Sequence, residues 1–426
     1  MYVNGIQPSA DELTAAFFGH TRFVPAADRL RIGRRLAVHL DRAASWCTAH
    51  LGDGAALYLA GSLARSEASV VGTGHDVALA SDLDFVLVVD DPDGPGADGK
   101  DGDDPAGAGA SGGGPAGTAA AEVFARAMNA QAPDLLTTCF HVRRRDLPRV
   151  RSFFGVDLWL GLPHPLAGGG TPPGTPAPRV GPRETLEVVV HQLAALLLLP
   201  PQPGGVRGSS RQQLRKLLLE GLRANVPVPS DGVLRYADIL GPAGAVAADG
   251  LLAAAQTEAL VRARELSLPN PIGSGQAVEA AVGLLQRLFV PEAGTRVLPE
   301  TLDVLEERLG GRGDVLSVFQ TALTAMFLLV HSDVPAAREA AAGVLLRAWR
   351  AADPADLTEA APHRAAMCTW TPRDFVRDQA VHTDTTLRAM RALRLDYYGR
   401  LGPHNFGRRP SDSYTWHHPR EGATQR

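Results

Sequence analysis

The sequence has little cysteine and no long apolar run. Three cysteines occur in 426 residues, at Cys47, Cys139 and Cys368. Such scattered cysteines exclude a disulfide framework and a cysteine-rich zinc cluster, so a cytoplasmic location is the expectation. The longest apolar run, at 193–199, is far too short to cross a bilayer. We therefore expect a protein with neither a membrane span nor a signal peptide.

The chain also lacks an excess of charge of one sign. The formal net charge is −4 at pH 7, and the sequence pI is about 6.4. This balance gives no general electrostatic reason for tight nonspecific binding to nucleic acid, although a small basic patch is still allowed. Hydrophobic residues make up 45% of the chain, which is enough for a sizeable core. The length is typical of about two or three domains.

The most informative stretch is 57–90, LYLAGSLARSEASVVGTGHDVALASDLDFVLVVD. A short apolar run ends at Gly61-Ser62, and a second run at 85–89 follows Asp82 and Asp84 directly. Both runs have the composition and length of buried strands. Because side chains alternate along a strand, the two carboxylates are predicted to project from the same face and share a cation.

The ligand types in this stretch suit magnesium and phosphate. Mg²⁺ prefers hard oxygen ligands and is usually held by one or two carboxylates plus substrate phosphates. Leu83, between the two aspartates, is expected to point into the core and fix the pair. Gly61 and Ser62 offer a backbone amide and a hydroxyl that can hold a phosphate without side-chain bulk. The alternative is a turn cap at Asp82 and a solvent-facing Asp84.

Together, GSLAR at 61–65 and SDLDFVLV at 81–88 resemble the DNA polymerase beta-like nucleotidyltransferase superfamily, in particular its small-molecule and minimal members. The family motif is a strand, Gly-Ser, a helix, and then Asp-x-Asp on the next strand. In this chain the segment between Ser62 and Asp82 is longer than usual for the family. Residues 70–80 must therefore form an inserted loop, and the resemblance requires that this loop leave both strands in place.

The resemblance also implies a third carboxylate, on a later strand, that binds the catalytic metal and helps to deprotonate the acceptor hydroxyl. Asp157, within an apolar run, is the best match, since an acid there is costly unless it binds something. Asp134 and Asp146 are the other possibilities, but turns explain both. Arg65 and Glu67 either contact the triphosphate or acceptor, or form a surface ion pair.

Pro- and Gly-rich segments divide the chain. The segment 91–118 is dense in Gly, Asp, Ala and Pro and has no large apolar side chain, and it is predicted to be a disordered insertion. A second segment, 168–182, is predicted to be a linker between 1–167, an α/β (α+β) domain with a small mixed sheet, and 183–402, an all-α domain. Residues 403–426 are predicted to be a flexible tail.

Two basic helical segments add candidates in the all-α half. At 211–224, Arg215 and Lys216 lie on a helix whose leucines form the opposite, buried side, and the resemblance implies that a basic residue from this region holds the triphosphate. A solvated basic face is the alternative. The second segment contains Arg377 and His382, whose R-x4-H spacing resembles that of HEPN ribonucleases, which are often encoded with minimal nucleotidyltransferases.

The resulting hypothesis is a nucleotidyltransferase that moves a nucleoside monophosphate from an NTP to an acceptor hydroxyl of a small molecule, protein or RNA. Two Mg²⁺ ions are expected at Asp82, Asp84 and Asp157. Gly61, Ser62, Arg65, Arg215 and Lys216 are expected to contact the nucleotide. The alternatives are a HEPN-like ribonuclease fusion using Arg377 and His382, and a noncatalytic nucleotide-binding protein on the same fold.

The composition of 91–118 leads to a first testable prediction. Replacing most of this segment with a short Gly/Ser linker should lower the melting temperature by less than about 3 °C, because these residues cannot bury apolar surface. Thermal unfolding followed by circular dichroism measures this change. A loss of cooperative unfolding, or strong hydrogen-exchange protection in the segment, would show that an ordered element has been removed.

Overall fold

A computed structural model describes residues 10–89, 115–144, 165–168, 188–190, 192–193, 208–229, 233–289, 315–331, 335–380, 385, 388–389, 392–393 and 396. The chain is a mixed α+β protein in which helix predominates. Two compact units separate between Pro178 and Arg179, inside the predicted linker 168–182. No helix in the described residues is long and apolar enough to span a bilayer.

The described residues of the N-terminal unit contain four α-helices, a three-stranded sheet and a two-stranded hairpin. The helices are α1 (Ala10–Phe18), α2 (Ala26–Leu51), α3 (Gly61–Ala64) and α4 (Pro115–Gln131). The strands are β1 (Ala55–Leu59), β2 (Val70–Val71), β3 (Ala78–Leu79), β4 (Leu83–Val89) and β5 (Thr137–Arg143). The predicted small mixed sheet is therefore present, and β1 and β4 coincide closely with the two apolar runs of the sequence.

The sheet has the order β1-β4-β5. Strand β4 pairs antiparallel with β1, so that Leu59 lies opposite Phe85, and parallel with β5, so that Asp84 lies opposite Thr138. On the other side of β1, residues 166 and 167 exchange two backbone hydrogen bonds with Leu57, of 2.7 and 2.9 Å. Gly168, the first residue of the predicted linker, consequently approaches Ala55 closely.

Helices α2 and α4 cover one face of the sheet through aromatic contacts. The ring of Phe124 on α4 packs edge-on against Phe85 of β4, with centroids 5.3 Å apart, and against Trp46 of α2, with centroids 5.2 Å apart. Because side chains alternate along a strand, Asp84 projects from the face opposite Phe85. The apolar core on one face thus leaves the acidic residues on the other.

Helix α4 corrects the predicted bounds of the acidic insertion. It begins at Pro115, four residues before the predicted start at Ala119, so residues 115–118 are helical. The remaining insertion residues, like most of the predicted linker and all of the predicted tail, lie outside the described part of the chain. Proline suits the first turn of a helix because its missing N–H has no intrahelical partner there.

In the second unit, every secondary-structure element with described bounds is a helix, as predicted for an all-α domain. The α-helices with described bounds are α5 (Gly208–Ala224), α6 (Pro242–Ala248), α7 (Ala254–Glu265), α8 (Ser274–Phe289), α9 (Val315–His331), α10 (Pro335–Ala351), α11 (Ala361–Met367) and α12 (Pro372–Ala380). A 3₁₀ helix spans Tyr236–Leu240.

Candidate functional site

The candidate site lies where β1 ends beside the start of β4. The backbone N–H of Ala60 donates to the carbonyl of Asp84 over 2.7 Å, which extends the β1–β4 pairing by one residue. Gly61 then opens helix α3 with a φ of 68°, a conformation that residues with a Cβ rarely adopt. The chain turns sharply at this point, and the Gly-Ser pair stays next to the Asp82-Leu83-Asp84 segment.

Gly61 packs directly against the side chain of Asp84. A Cβ on Gly61 would overlap Oδ2 of Asp84 and lie 3.0 Å from its Cγ. The carboxylate therefore occupies the space that any other residue at position 61 would fill. This contact explains the glycine in physical terms and brings together two parts of the predicted motif that are well separated in the sequence.

The two aspartates differ in exposure and in contacts. Leu83 is fully buried, Asp82 is exposed, and Asp84 is half-buried. This alternation agrees with the prediction that Leu83 anchors the pair in the core. The hydroxyl of Thr138 donates a hydrogen bond of 2.6 Å to Oδ1 of Asp84. A bond this short is typical of a hydroxyl donating to an ionised carboxylate.

The inserted residues form a hairpin that leaves the main strands in register. Strands β2 and β3 pair antiparallel, with Val70 opposite Leu79. Two serines close the base of the hairpin, because Ser81 Oγ accepts from the backbone N–H of Ser69 at 2.8 Å and lies 2.9 Å from its Oγ. The long spacing between Ser62 and Asp82 is thus accommodated without disturbing the pairing of β1 and β4.

Arg65 and Glu67 form a buried ion pair rather than the surface pair considered from the sequence. Arg65 Nε donates to Glu67 Oε2 over 2.9 Å, and the side chains are only 8% and 2% exposed. The backbone N–H of Glu67 also donates to the carbonyl of Ser62 at 2.9 Å. The pair therefore belongs to the turn that carries Gly61 and Ser62, and the guanidinium is directed at Glu67.

Two carboxylates and the phosphates of a substrate match the way proteins usually hold Mg²⁺. Within the described residues no group of three or more His, Cys, Asp or Glu side chains could hold a metal. Asp157 and Asp146 lie outside those residues, so their roles stay predictions. Asp134 is exposed and paired with Arg35, as expected of a turn carboxylate. The oxygen donors at Asp82 and Asp84 fit a hard cation completed by phosphate oxygens.

Of the basic candidates in the helical unit, Arg215 does not lie on a solvated face. Its side chain is 5% exposed, and Nη1 donates to the carbonyls of Ala263, over 2.7 Å, and Leu268. Burial, and secondarily the charge of Arg264, lowers the pKa of this guanidinium. The alternative of a solvated basic face is therefore wrong for this residue, because Arg215 joins α5 to the end of α7. Lys216 is half-buried on α5.

The ribonuclease alternative depends on Arg377 and His382, and the structure describes Arg377. Arg377 is exposed on α12 and donates to Asp374 over 2.9 Å, one turn earlier in the helix. His382 lies outside the described residues. The R-x4-H assignment therefore stays a prediction.

Sequence reasoning missed two residues that support the site, Thr138 and Asn129. Thr138 reaches Asp84 through the β4–β5 register, and the Asn129 side chain holds the start of β5. The available signal for Thr138 was the pair of threonines at the start of the strand. The sequence could not identify Asp84 as the partner of Thr138, because the parallel register is fixed by α4 and by the sheet rather than by a local turn.

Comparisons with known proteins add no family assignment. No protein-family model, curated protein or solved structure matches the chain. Interpretation of the site therefore depends on its geometry and on the sequence motif.

The buried ion pair leads to a prediction about stability. Glu67→Ala should lower the free energy of unfolding by about 3–5 kcal/mol, because it leaves the Arg65 charge buried without its carboxylate. Urea denaturation measures the loss. As a matched control, Asp134→Ala breaks an exposed pair in the same unit and should cost at most about 1 kcal/mol. Equal losses in the two variants would contradict a structural role for the Arg65–Glu67 pair.

The contact between Gly61 and Asp84 leads to a further prediction, for which Gly52 in the same unit is the control. Gly61→Ala should destabilise the fold more than Gly52→Ala. Both glycines have positive φ, but a Cβ on Gly52 would meet no atom within 4 Å. Each variant also carries backbone strain of about 1–3 kcal/mol, because a Cβ disfavours both conformations; that of Gly52 combines a φ of 63° with a ψ of −154°. The additional loss in Gly61→Ala, measured by urea denaturation, reports the displacement of Asp84. Equal losses of stability in the two variants would show that the Asp84 carboxylate moves aside at no measurable cost.

Proposed function

We propose that this protein is a Mg²⁺-dependent nucleotidyltransferase that moves a nucleoside monophosphate from an NTP to an acceptor hydroxyl. The observation that carries the proposal is the packing of Gly61 against the carboxylate of Asp84. It brings the Gly-Ser turn, which carries the half-buried Ser62, next to the start of β4, where Asp82 and Asp84 supply two carboxylates. A Gly-Ser turn of this kind suits phosphate groups, and paired carboxylates suit a divalent cation.

In this proposal the residues of the turn and of the strand have separate tasks. Asp82 and Asp84 supply the carboxylate oxygens for Mg²⁺. Gly61 and Ser62 hold phosphate oxygens of the NTP, with the glycine allowing close approach and the half-buried serine contributing its hydroxyl. Arg65 acts on the nucleotide only through the turn that its ion pair with Glu67 stabilises.

The chemistry is an in-line displacement at the α-phosphorus. The acceptor oxygen forms a bond to that phosphorus, and the bond to the bridging oxygen breaks, so pyrophosphate leaves with the electron pair. The proton of the acceptor hydroxyl passes to a base, for which Asp157 is the candidate by resemblance. Bound Mg²⁺ supplies charge neutralisation at the phosphates and lowers the pKa of the acceptor hydroxyl. The proposal assigns no nucleotide contact to Arg215, whose guanidinium is buried inside the helical unit; Lys216 remains the candidate from that unit.

Substitution of the aspartates tests the proposal. Asp82→Asn and Asp84→Asn should each lower Mg²⁺-dependent release of pyrophosphate by about 10²–10³-fold, since each removes charge that stabilises the transition state. Pyrophosphate release from the four common NTPs, with cell extract as the source of acceptor, measures the effect. Asp134→Asn, which changes an exposed carboxylate of the same unit, should retain the activity of the unmodified protein.

The outcomes separate the alternatives. Full Mg²⁺-dependent release in both aspartate variants would overturn the proposed site. Metal-dependent nucleotide binding without release, lost in Asp84→Asn, would instead favour a noncatalytic binding protein. Cleavage of RNA that His382→Ala abolishes would favour the ribonuclease alternative.

A further inference from the structure

Thr138 is the residue in direct contact with Asp84 from the neighbouring strand. Its Oγ1 donates to Asp84 Oδ1 over 2.6 Å, and the β4–β5 register places the two residues opposite each other. On its other side the same carboxylate packs against Gly61 through Oδ2. The two contacts hold both oxygens, so they fix the direction in which the carboxylate points as well as its position.

The backbone that carries Thr138 is itself held from helix α4. The Asn129 side chain donates to the carbonyl of Thr137 at 2.8 Å and accepts from the N–H of Thr137 at 2.8 Å. A second bond from the same Asn129 amide, of 2.8 Å, reaches the carbonyl of Ala125 in α4. The residue before Thr138 is thus tied to the helix through its donor and its acceptor, which leaves Thr138 little freedom to move away from Asp84.

We infer that Thr138 is a positioning residue that orients the Asp84 carboxylate toward a divalent cation. The inference rests on the proposed function, since it concerns how that site holds its metal. An ionised carboxylate offers about four lone-pair positions, and the threonine hydroxyl takes one of them. Hydrogen bonds to metal-binding carboxylates typically contribute about 10–100-fold to metal affinity or activity.

The conservative variants of Thr138 test this role without relying on turnover. Thr138→Val keeps the shape of the side chain and removes the donor, so it should weaken binding of Mn²⁺, used as a paramagnetic probe for the Mg²⁺ site, by about 10-fold. Thr138→Ser keeps the hydroxyl and should bind within about 2-fold of the unmodified protein, since the donor to Asp84 remains. Electron paramagnetic resonance titration of the full chain measures free and bound Mn²⁺ directly.

A neighbouring threonine provides the matched control. Thr137→Val removes a hydroxyl from the same strand, but this hydroxyl lies 3.2 Å from His39 Nε2 rather than on Asp84. Its Mn²⁺ affinity should be unchanged. Thermal melts of all variants establish that each is folded. If Thr138→Val loses its cooperative melt, Thr138→Ala takes its place in the titration, with the same expected 10-fold loss.

Asp84→Asn distinguishes failure of this inference from failure of the proposed function. If Asp84→Asn abolishes Mn²⁺ binding while Thr138→Val binds like the unmodified protein, the positioning role is wrong and the proposed metal site stands. If Asp84→Asn leaves Mn²⁺ binding unchanged, the metal site is wrong and the inference falls with it. Equal losses of Mn²⁺ affinity in Thr138→Val and Thr137→Val would show that either substitution acts by weakening the strand. That result would also overturn the positioning role.

Discussion

The close approach of Gly61 to Asp84 is the contact on which the candidate site depends. It requires the antiparallel pairing of β1 and β4 to continue as far as Ala60, and it requires a residue without a Cβ at the following turn. If the register of these strands slipped by one residue, the aspartates would move to the face covered by α2 and α4. The aromatic contact between Phe85 and Phe124 opposes such a slip, because it holds Phe85 on the face that α4 covers.

Much of this part of the fold follows from local patterns in the sequence. Apolar runs located β1 and β4, and the spacing of Asp82 and Asp84 around a buried leucine predicted that both face away from the core. The resemblance required that the inserted loop between Ser62 and Asp82 leave the strands in place, and the hydrogen bonds between Ser69 and Ser81 close the base of the hairpin that this loop forms. These features are determined within a few residues, where alternation and turn chemistry dominate.

The features that sequence reasoning missed depend on contacts between distant segments. For Arg65 and Glu67 the sequence left open a contact with the triphosphate or acceptor and a surface ion pair, yet the turn that carries the candidate phosphate site buries both side chains. Arg215 lies on an amphipathic helix whose charged face would normally be solvated, but the end of α7 covers it. Thr138 contacts Asp84 only because β5 lies parallel to β4. A parallel register is set by the crossover segment between the strands, and no motif within β5 predicts it.

The electrostatics of the pair gives a physical reason to expect a cation at the site. Two carboxylates separated by one residue at the start of a strand repel each other, and half-burial of Asp84 raises the cost of that charge. The hydroxyl of Thr138 donates a hydrogen bond to Asp84 that offsets part of this cost. In the proposed function a divalent cation would neutralise the pair, and any ligand that binds only the folded chain stabilises it by mass action. Under that proposal stability and function are coupled at this edge of the sheet, because the cation that Asp84 is positioned to hold would also stabilise the folded protein.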